Sequence, residues 1–266
     1  GTERSKEVSQ VDECYELSEF QEKLPELVKG HSSLYLDMTH ETNVLDMHKV
    51  LKSLSNRRKA KDYFPQALHD ITPYVGKMRL VKDANEIGLM KRAADISCLA
   101  HQAAMAYTRE GRYEYQVQAL MEFIFKASGA SFPAYTSIVA GGNNANVLHY
   151  IENKDLLNDK EYLLIDAGCE YHSYASDITR TFPISGRFEG GGRDVYEVVL
   201  EAQKKTIQTA EPGKTLKELH EVSSKELIRG LIDLNVLKGD VEENYQQENH
   251  KKYFPHGTSH WLGIDV

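Results

Sequence analysis

The sequence is poor in cysteine. Its 266 residues include only Cys14, Cys98 and Cys169, which are odd in number, widely separated and without CxxC spacing. Neither a disulfide framework nor a structural zinc site is therefore indicated. Such sparse cysteine is typical of a reducing compartment, and we expect a cytoplasmic protein.

Basic charge and long apolar runs are also scarce. Lysine and arginine number 32 against 40 aspartates and glutamates, which leaves a net charge of −8 that repels a phosphate backbone, so nucleic acid is not expected as a partner. No apolar run approaches the roughly 20 residues of a membrane helix, and the polar start is unlike a signal peptide. We expect a soluble protein without a membrane partner.

Several common catalytic motifs are missing from the sequence. It has no G-x-S-x-G elbow and no H-E-x-x-H helix, which removes support for a serine hydrolase or a thermolysin-like enzyme. The loop Gly141–Asn144 lacks the lysine and the helix start of a P-loop, so nucleotide binding is not indicated. Hydrophobic residues make up 41% of the chain and charged residues 27%. These ordinary fractions predict one or two globular domains.

Sequence texture divides the chain near residue 76. Residues 1–76 read as a partial α/β domain with a short strand at 33–38 and a charged helix at 41–58. A strand-like Met-Arg-Leu-Val at 78–81 then precedes a strong helix start. Residues 77–266 read as a second domain.

The second domain begins with helices and continues with strands. Asp83 and Glu86 form a D-x-x-E capping box, and apolar residues then recur at helical spacing until Gly111. A second helix is predicted at 113–128, and strand composition at 162–182. The three glycines at 190–192 predict a loop before helices at about 193–211 and 216–234.

Two aspartates lie in this strand-like stretch. If the strands form a hairpin that turns at Tyr171–His172, Asp166 faces Asp177. Opposed carboxylates about 4.5–5.5 Å apart at Cβ repel each other. Either a shared proton or a bound cation must offset that repulsion, and oxygen ligands suit magnesium, manganese or similar divalent ions. A lone strand aspartate is more often an exposed charge, but a matched pair favours a functional site.

Histidines form the other candidates. His256 and His260 lie in a glycine-spaced segment, and Pro255 and Gly257 favour an extended backbone that places both imidazoles on one face. Paired histidines are better metal ligands or proton carriers than a lone one. His149, which follows the Gly-Gly-Asn-Asn loop, is weak evidence by itself.

Together these motifs resemble bacterial aminopeptidase P, an Xaa-Pro aminopeptidase. The similarity is carried by Leu-Ile-Asp-Ala-Gly-Cys-Glu-Tyr, Ser-Asp-Ile-Thr-Arg-Thr-Phe-Pro, Val-Leu-His-Tyr and His-Gly-Thr-Ser-His-Trp-Leu-Gly, in that family's order and spacing, from about Met78 to Val266. It implies an α+β pita-bread (creatinase/aminopeptidase) fold, incomplete at its carboxyl end, for residues 77–266.

The resemblance also implies a chemistry and a set of site residues. It places Asp166, Asp177 and His260 among the ligands of two divalent metal ions, most often Mn²⁺. It gives His149 and His256 catalytic roles in binding substrate and stabilising the tetrahedral intermediate. The implied reaction releases the amino-terminal residue from peptides that have proline in second position, and the implied full-length parent is a homo-oligomer.

The chain departs from the family pattern at its carboxyl end. The family's two glutamate ligands follow the His-Trp-Leu-Gly segment, whereas no glutamate follows Glu248 here and the chain stops at Val266. We therefore expect the chain alone to bind metal weakly and to show little activity. Two alternatives stay open: a prolidase-type dipeptidase, and a non-catalytic, protein-binding fragment of the same fold.

Overall fold

The computed structural model describes residues 1–55 and 65–266. The chain forms two compact units, Gly1–Val81 and Lys82–Val266. None of the helices in the described ranges is long and apolar enough to cross a membrane.

The first unit is a small α/β structure. Strands β1 and β2 pair in parallel, with Ser33 opposite Ala67. A small apolar cluster of Val28, Val50 and Leu54 is buried between the helices. The elements of this unit are α1 (Thr2–Ser9), α2 (Phe20–Leu27), β1 (Ser33–Leu36), α3 (Glu41–Ser55), β2 (Ala67–Asp70) and α4 (Thr72–Leu80).

The sequence predicted this unit only in part. The strand after residue 33 and the helix start at Glu41 are confirmed, but the predicted helix end at Arg58 lies outside the described residues. The strand predicted at 78–81 is wrong, because α4 covers most of it. Pro73 presets a helical φ in the first turn of α4, and the Asp70 carboxylate accepts hydrogen bonds from the Thr72 amide (3.0 Å) and hydroxyl (2.7 Å).

The second unit contains helices packed on antiparallel sheets. The predicted capping box is confirmed, since the Asp83 carboxylate accepts from the Asn85 and Glu86 amides at the start of α5. The elements of this unit are α5 (Ala84–Tyr107), α6 (Glu114–Ala127), β3 (Phe132–Pro133), β4 (Ile138–Gly141), β5 (Tyr162–Asp166), β6 (Cys169–Tyr171), β7 (Tyr174–Ala175), β8 (Thr179–Pro183), α7 (Gly190–Thr209), α8 (Leu216–Asp233) and α9 (Val241–Gln246).

The strands form two short sheets, in the orders β4-β5-β8 and β3-β6-β7. One apolar core joins helices α5 and α6 to these sheets. Its largest fully buried side chains include Phe125, Ile96 and Met121 from the helices and Leu163 and Ile165 from β5. Burial of apolar surface stabilises by about 25 cal/mol per Å², so this helix-on-sheet contact stabilises strand β5, which carries Asp166.

The predicted glycine loop at 190–192 is wrong. These residues form the first turn of α7. A Cβ added to Gly192 would lie 2.0 Å from the Tyr162 hydroxyl oxygen, whereas one on Gly191 meets nothing within 4 Å. The absence of a side chain at Gly192 therefore lets the start of α7 approach strand β5, which explains a glycine in a helix despite its poor helix propensity.

Candidate metal centre

The two aspartates lie on one hairpin, but they are not directly opposed. Asp166 pairs with Thr179 at the end of β5 and β8. The Ala167 amide donates to the Ile178 carbonyl oxygen (3.1 Å), and the same register places Asp177 opposite Gly168. The predicted Asp166–Asp177 pair is therefore wrong, because the partner of each aspartate lies two residues away from the predicted one.

The turn of the hairpin explains this shift. His172 and Ser173 both have positive φ, 50° and 68°, and they link Tyr171 to its partner Tyr174. Consecutive left-handed residues are the signature of a two-residue type I′ turn, whose twist matches that of the strands. Because neither residue is Gly or Asn, no residue type indicated that the turn lies one position later.

The corrected register still brings the two carboxylates together. Residues 166 and 168 share one face of their strand, so Asp166 and Asp177 are diagonal neighbours on the same face. The Tyr135 hydroxyl oxygen lies 2.5 Å from Asp166 Oδ1 and 3.0 Å from Asp177 Oδ1. A single phenolic proton thus serves two acceptors, and the carboxylates converge on one point.

The environment disfavours the negative charge of Asp166. Burial raises the pKa of the Asp166 carboxyl above its usual range, and the nearby charge of Asp177 raises it further, against the lowering effect of the Tyr135 hydroxyl. Burial, followed by the hydrogen bond to Asp166, raises the pKa of Tyr135. The phenol therefore remains protonated and donates, and a cation at this point would relieve the repulsion.

His260 extends this cluster. Its Nε2 lies 3.1 Å from Asp177 Oδ2, and its Nδ1 lies 2.9 Å from the carbonyl oxygen of Trp261. A carbonyl only accepts, so Nδ1 carries the proton, and in the neutral imidazole the Nε2 lone pair faces the carboxylate. Two facing acceptors need a proton or a cation between them. In a metal-ligating histidine, the ring nitrogen that does not bind the metal usually donates to a carboxylate, a carbonyl or a water molecule. His260 has this arrangement, with Nδ1 as the donor.

The other two histidines, His149 and His256, have exposed side chains. His256 is exposed, its Nδ1 is 3.0 Å from the Gly257 carbonyl oxygen, and its ring packs edge-on to Phe254 at 4.8 Å. His149 is exposed and has a φ of 57°. Neither is part of the contact series Asp166–Tyr135–Asp177–His260. The extended backbone predicted for the segment that contains His256 and His260 is wrong. Ser259, between the two histidines, has a φ of 60°, which interrupts the strand-like alternation.

The three candidate ligands are of types that suit a divalent cation, but they are not gathered around one point. Within residues 1–55 and 65–266, no group of three or more His, Cys, Asp or Glu side chains is arranged to hold a metal ion. Asp166 and Asp177 converge on one point, and His260 contacts only the second of them. Two hard carboxylates and an imidazole nevertheless suit manganese or a similar ion.

Sequence reasoning missed Tyr135. It lies 31 and 42 residues from the carboxylates that it contacts, just before β4, and the Ala134 amide holds this segment by donating to the Gly168 carbonyl oxygen (2.9 Å). A lone tyrosine between strands carries no spacing signal. Pro133, two residues before Tyr135, lies in strand β3 and gives no indication of these contacts.

His101 lies behind the site in the core and predicts acid sensitivity. It is buried, its Nε2 is 3.0 Å from the Ala167 carbonyl oxygen, and burial lowers its imidazole pKa, with the charge of Arg180 acting in the same direction and that of Asp166 against it. The unfolded chain therefore binds a proton that the folded one does not. The stabilisation is complete above pH about 6.5 and is lost as pH falls from there towards the folded pKa.

We expect the free energy of unfolding of the metal-free protein to fall between pH 6.5 and 5, and His101→Gln to flatten that slope. Urea denaturation at pH 7.5, 6.5, 5.75 and 5 measures it, with a chelator present. His172→Asn, at an exposed turn position, is the control and should keep the wild-type slope. An unchanged slope in His101→Gln contradicts the prediction.

Most of the second unit matches a known protein family. The family model of metallopeptidase family M24 matches residues 88–266. The chain belongs to metallopeptidase family M24. Its matched region lies inside the unit Lys82–Val266 and contains every predicted site residue.

The relatives that the chain matches over its whole length are Xaa-Pro aminopeptidases. The chain is 41% identical over its whole length to the Xaa-Pro aminopeptidase of Haemophilus influenzae, of which it covers 60%. Among solved structures it is similar to proline aminopeptidase P II from Yersinia pestis, with 38% identity, a TM-score of 0.96, 100% of this chain covered and 61% of that one. A zinc-substituted Escherichia coli aminopeptidase P in complex with product gives 36% identity, a TM-score of 0.97 and coverages of 100% and 61%.

These similarities confirm two predictions made from sequence. The resemblance to Xaa-Pro aminopeptidases is confirmed, and so is the α+β pita-bread class. The chain spans 60% of the Haemophilus influenzae relative and 61% of the Yersinia pestis one.

Proposed function

We propose that this chain carries the metal-binding strands of an Xaa-Pro aminopeptidase, which releases the amino-terminal residue from peptides with proline in second position. The observation that carries the proposal is the meeting of the two carboxylates at one hydroxyl, with the Nε2 atom of His260 lying 3.1 Å from the second of them. Membership of family M24 supports hydrolytic metal chemistry at this point.

Asp166, Asp177 and His260 would hold the metal, and Tyr135 would orient the carboxylates from outside the ligand set. Two divalent ions, when bound, would lower the pKa of a water molecule towards neutrality and polarise the scissile carbonyl. We propose Mn²⁺ as the usual ion because the carboxylate-rich set suits it. The zinc-substituted E. coli relative supports a dependence on divalent metal without fixing which ion this chain uses.

His149 and His256 are proposed as the catalytic histidines. The Nδ1 of His256 lies near the Gly257 carbonyl, which leaves Nε2 available to contact substrate. With Nδ1 donating to that carbonyl, Nε2 donates to the carbonyl oxygen of a substrate only in the doubly protonated imidazolium, which would stabilise the negative charge that develops during attack. Both side chains are exposed and therefore accessible to a peptide.

The wider assignments are proposals of the same kind. Residues 1–76 are proposed as part of an amino-terminal domain and residues 77–266 as catalytic, which agrees with the start of the family match at residue 88. A cytoplasmic location is proposed from the sparse cysteines, and a homo-oligomer from the resemblance to aminopeptidase P. The dipeptidase and binding alternatives are not favoured, because the relatives are Xaa-Pro aminopeptidases.

A matched pair of peptides tests the proposed activity. The complete gene product, loaded with Mn²⁺, should cleave a tripeptide with proline in second position at least about tenfold more efficiently, in kcat/KM, than the same tripeptide with alanine there. Chelation should abolish both activities. Equal cleavage of the two peptides contradicts the assignment, and cleavage confined to an Xaa-Pro dipeptide would favour the dipeptidase.

A further inference from the structure

A second polar cluster lies at the start of helix α6, away from the aspartates. Glu114, the first residue of α6, is fully buried. Its Oε1 accepts from the Gly141 amide (2.7 Å) and from Asn144 Nδ2 (3.0 Å), and its Oε2 accepts from the Tyr150 hydroxyl (2.8 Å) and the Asp155 amide (2.9 Å). We call Glu114 and these four partners the Glu114 cluster.

The buried Glu114 carboxylate is balanced by four hydrogen-bond donors, none of which carries a positive charge. An ionised carboxylate has about four lone-pair sites, and all four are used here. The position at the amino terminus of α6 further favours a negative charge. Burial and the hydrogen bond to Glu114 raise the pKa of Tyr150 to about 12, so its hydroxyl stays protonated and donates. A side chain as specific as this is costly to replace, because any substitute leaves buried donors unpaired.

The Glu114 cluster fixes both ends of one surface loop. Gly141 ends strand β4, Asp155 lies at the far end of the loop, and Asn144 and Tyr150 lie between them. Asn144 Nδ2 also reaches Asp155 Oδ2 at 2.8 Å. The two ends are thereby tied directly to each other as well as to the helix. Ordering such a loop costs roughly 1–2 kcal/mol per residue in backbone entropy, which these buried bonds help to offset.

A second buried side chain supports the same loop. Asn153 accepts from the Val139 amide (2.9 Å) and donates to the Ser137 carbonyl oxygen (2.8 Å) and to Gln118 Oε1 (2.9 Å). Its own backbone is left-handed, with a φ of 45°. The loop therefore has a defined path against strand β4 and helix α6 on either side of residue 150.

The residue that this path presents is His149. It directly precedes Tyr150, which is buried and bonded to Glu114, yet its own side chain is exposed. Its φ of 57° lies in the left-handed region, which is uncommon for a residue other than glycine. Such a conformation costs about 1–3 kcal/mol and persists only where the surrounding structure imposes it. Tyr150 on one side and the loop anchors on both sides supply that constraint.

We propose that Glu114 is a positioning residue for His149: its buried carboxylate holds Tyr150 and both ends of the loop, and so fixes the direction in which the His149 imidazole is presented. The functional part of this proposal rests on the catalytic role proposed for His149. Glu114 touches neither substrate nor metal and acts only through the loop.

The decisive variant is Glu114→Gln. Glutamine keeps the shape of glutamate but replaces one acceptor oxygen by a donor NH₂, which then faces donors. Met121→Ala is the control, because it damages the core beneath the same helix without removing a bond of the Glu114 cluster. Asn144→Ala, at a half-buried position, keeps the test available should Glu114→Gln fail to fold. His149→Gln identifies the resonances of His149.

Two measurements are made on the complete gene product. The first is the imidazole NMR signal of His149 in the metal-free protein, which is absent from His149→Gln. The second is kcat and KM with Mn²⁺ and the proline tripeptide. Glu114→Gln should move the His149 signal and lower kcat about tenfold or more while KM changes less than about threefold, since small misplacements of a catalytic group are expensive. Asn144→Ala should do the same to a smaller extent. Met121→Ala should neither move the His149 signal nor lower kcat, even if it lowers the thermal stability as much as Glu114→Gln does.

The proposal is overturned if the His149 signal of Glu114→Gln coincides with that of Met121→Ala, or if its kcat matches that control while His149→Gln is impaired. Should His149→Gln turn over substrate normally, the catalytic role of His149 fails. The NMR comparison then decides by itself whether Glu114 positions the loop, so the two failures are distinguishable.

Discussion

Replacing Asp177 with asparagine is expected to lower kcat of the complete, Mn²⁺-loaded gene product more than about 100-fold. Loss of an outer partner of a metal ligand already costs about 10- to 100-fold, and Asp177 is proposed as a direct ligand that faces both Tyr135 and His260. Asparagine keeps the size of the side chain but removes the charge that attracts the ion. Titration calorimetry with Mn²⁺ and peptide hydrolysis measure the two effects.

The same change should leave the metal-free protein almost as stable as the wild type. Asp166 and Asp177 repel each other across the strands, and removing one charge relieves a repulsion of up to about 1 kcal/mol, which offsets the weakened contacts to Tyr135 and His260. Activity and stability thus separate, as expected where a site holds unfavourable charge for the sake of function. Asp194→Asn, on an exposed position of α7, is the control. Full activity in Asp177→Asn contradicts the metal proposal.

Gly168→Ala is expected to destabilise the fold by more than about 4 kcal/mol or to prevent folded protein from accumulating. A Cβ at position 168 would lie 1.7 Å from the carbonyl oxygen of Ser176 and 2.5 Å from its carbonyl carbon. Both are backbone atoms of the paired strand, so no side-chain rotation relieves the overlap. The strands must separate, which breaks the hydrogen bond that the Ser176 amide donates to the Cys169 carbonyl oxygen (3.0 Å).

Gly191→Ala is the matched control for that experiment. Nothing lies within 4 Å of its Cβ position, and it lies in the first turn of helix α7. Alanine is favoured over glycine in helices by about 1 kcal/mol, so this variant should be at least as stable as the wild type. Urea denaturation and the yield of folded protein compare the two. A Gly168→Ala protein of wild-type stability would show that the hairpin arms are further apart than the structure has them.

The local features of the second unit could be predicted from sequence because each depends on neighbouring residues. The capping box at Asp83 begins α5 as expected, and the predicted helix at 113–128 is confirmed at 114–127. The placement of the two aspartates on the arms of one hairpin also followed from the strand-like composition. Its register did not, because the turn at His172–Ser173 uses left-handed residues that carry no glycine signal.

Features that depend on distant residues could not be predicted. Tyr135 bridges two carboxylates far along the chain, and the position of Gly192 is explained by the hydroxyl of Tyr162 on another element. The Asp-Asp-His combination was recognisable as a motif, whereas its contacts required the fold. For the same reason, the buried bonds of Glu114 carried no sequence signal.

The hairpin also limits how the length of this region can change. Asp166 pairs with Thr179 and Glu170 with Ala175, so one register continues from the first sheet into the second. An insertion of one residue in either arm between Asp166 and Asp177 would turn one carboxylate to the opposite face. An insertion at the tip, next to His172, would leave that geometry untouched. During divergence, therefore, insertions and deletions can accumulate at the tip, whereas the lengths of the two arms must stay constant to keep both carboxylates on one face.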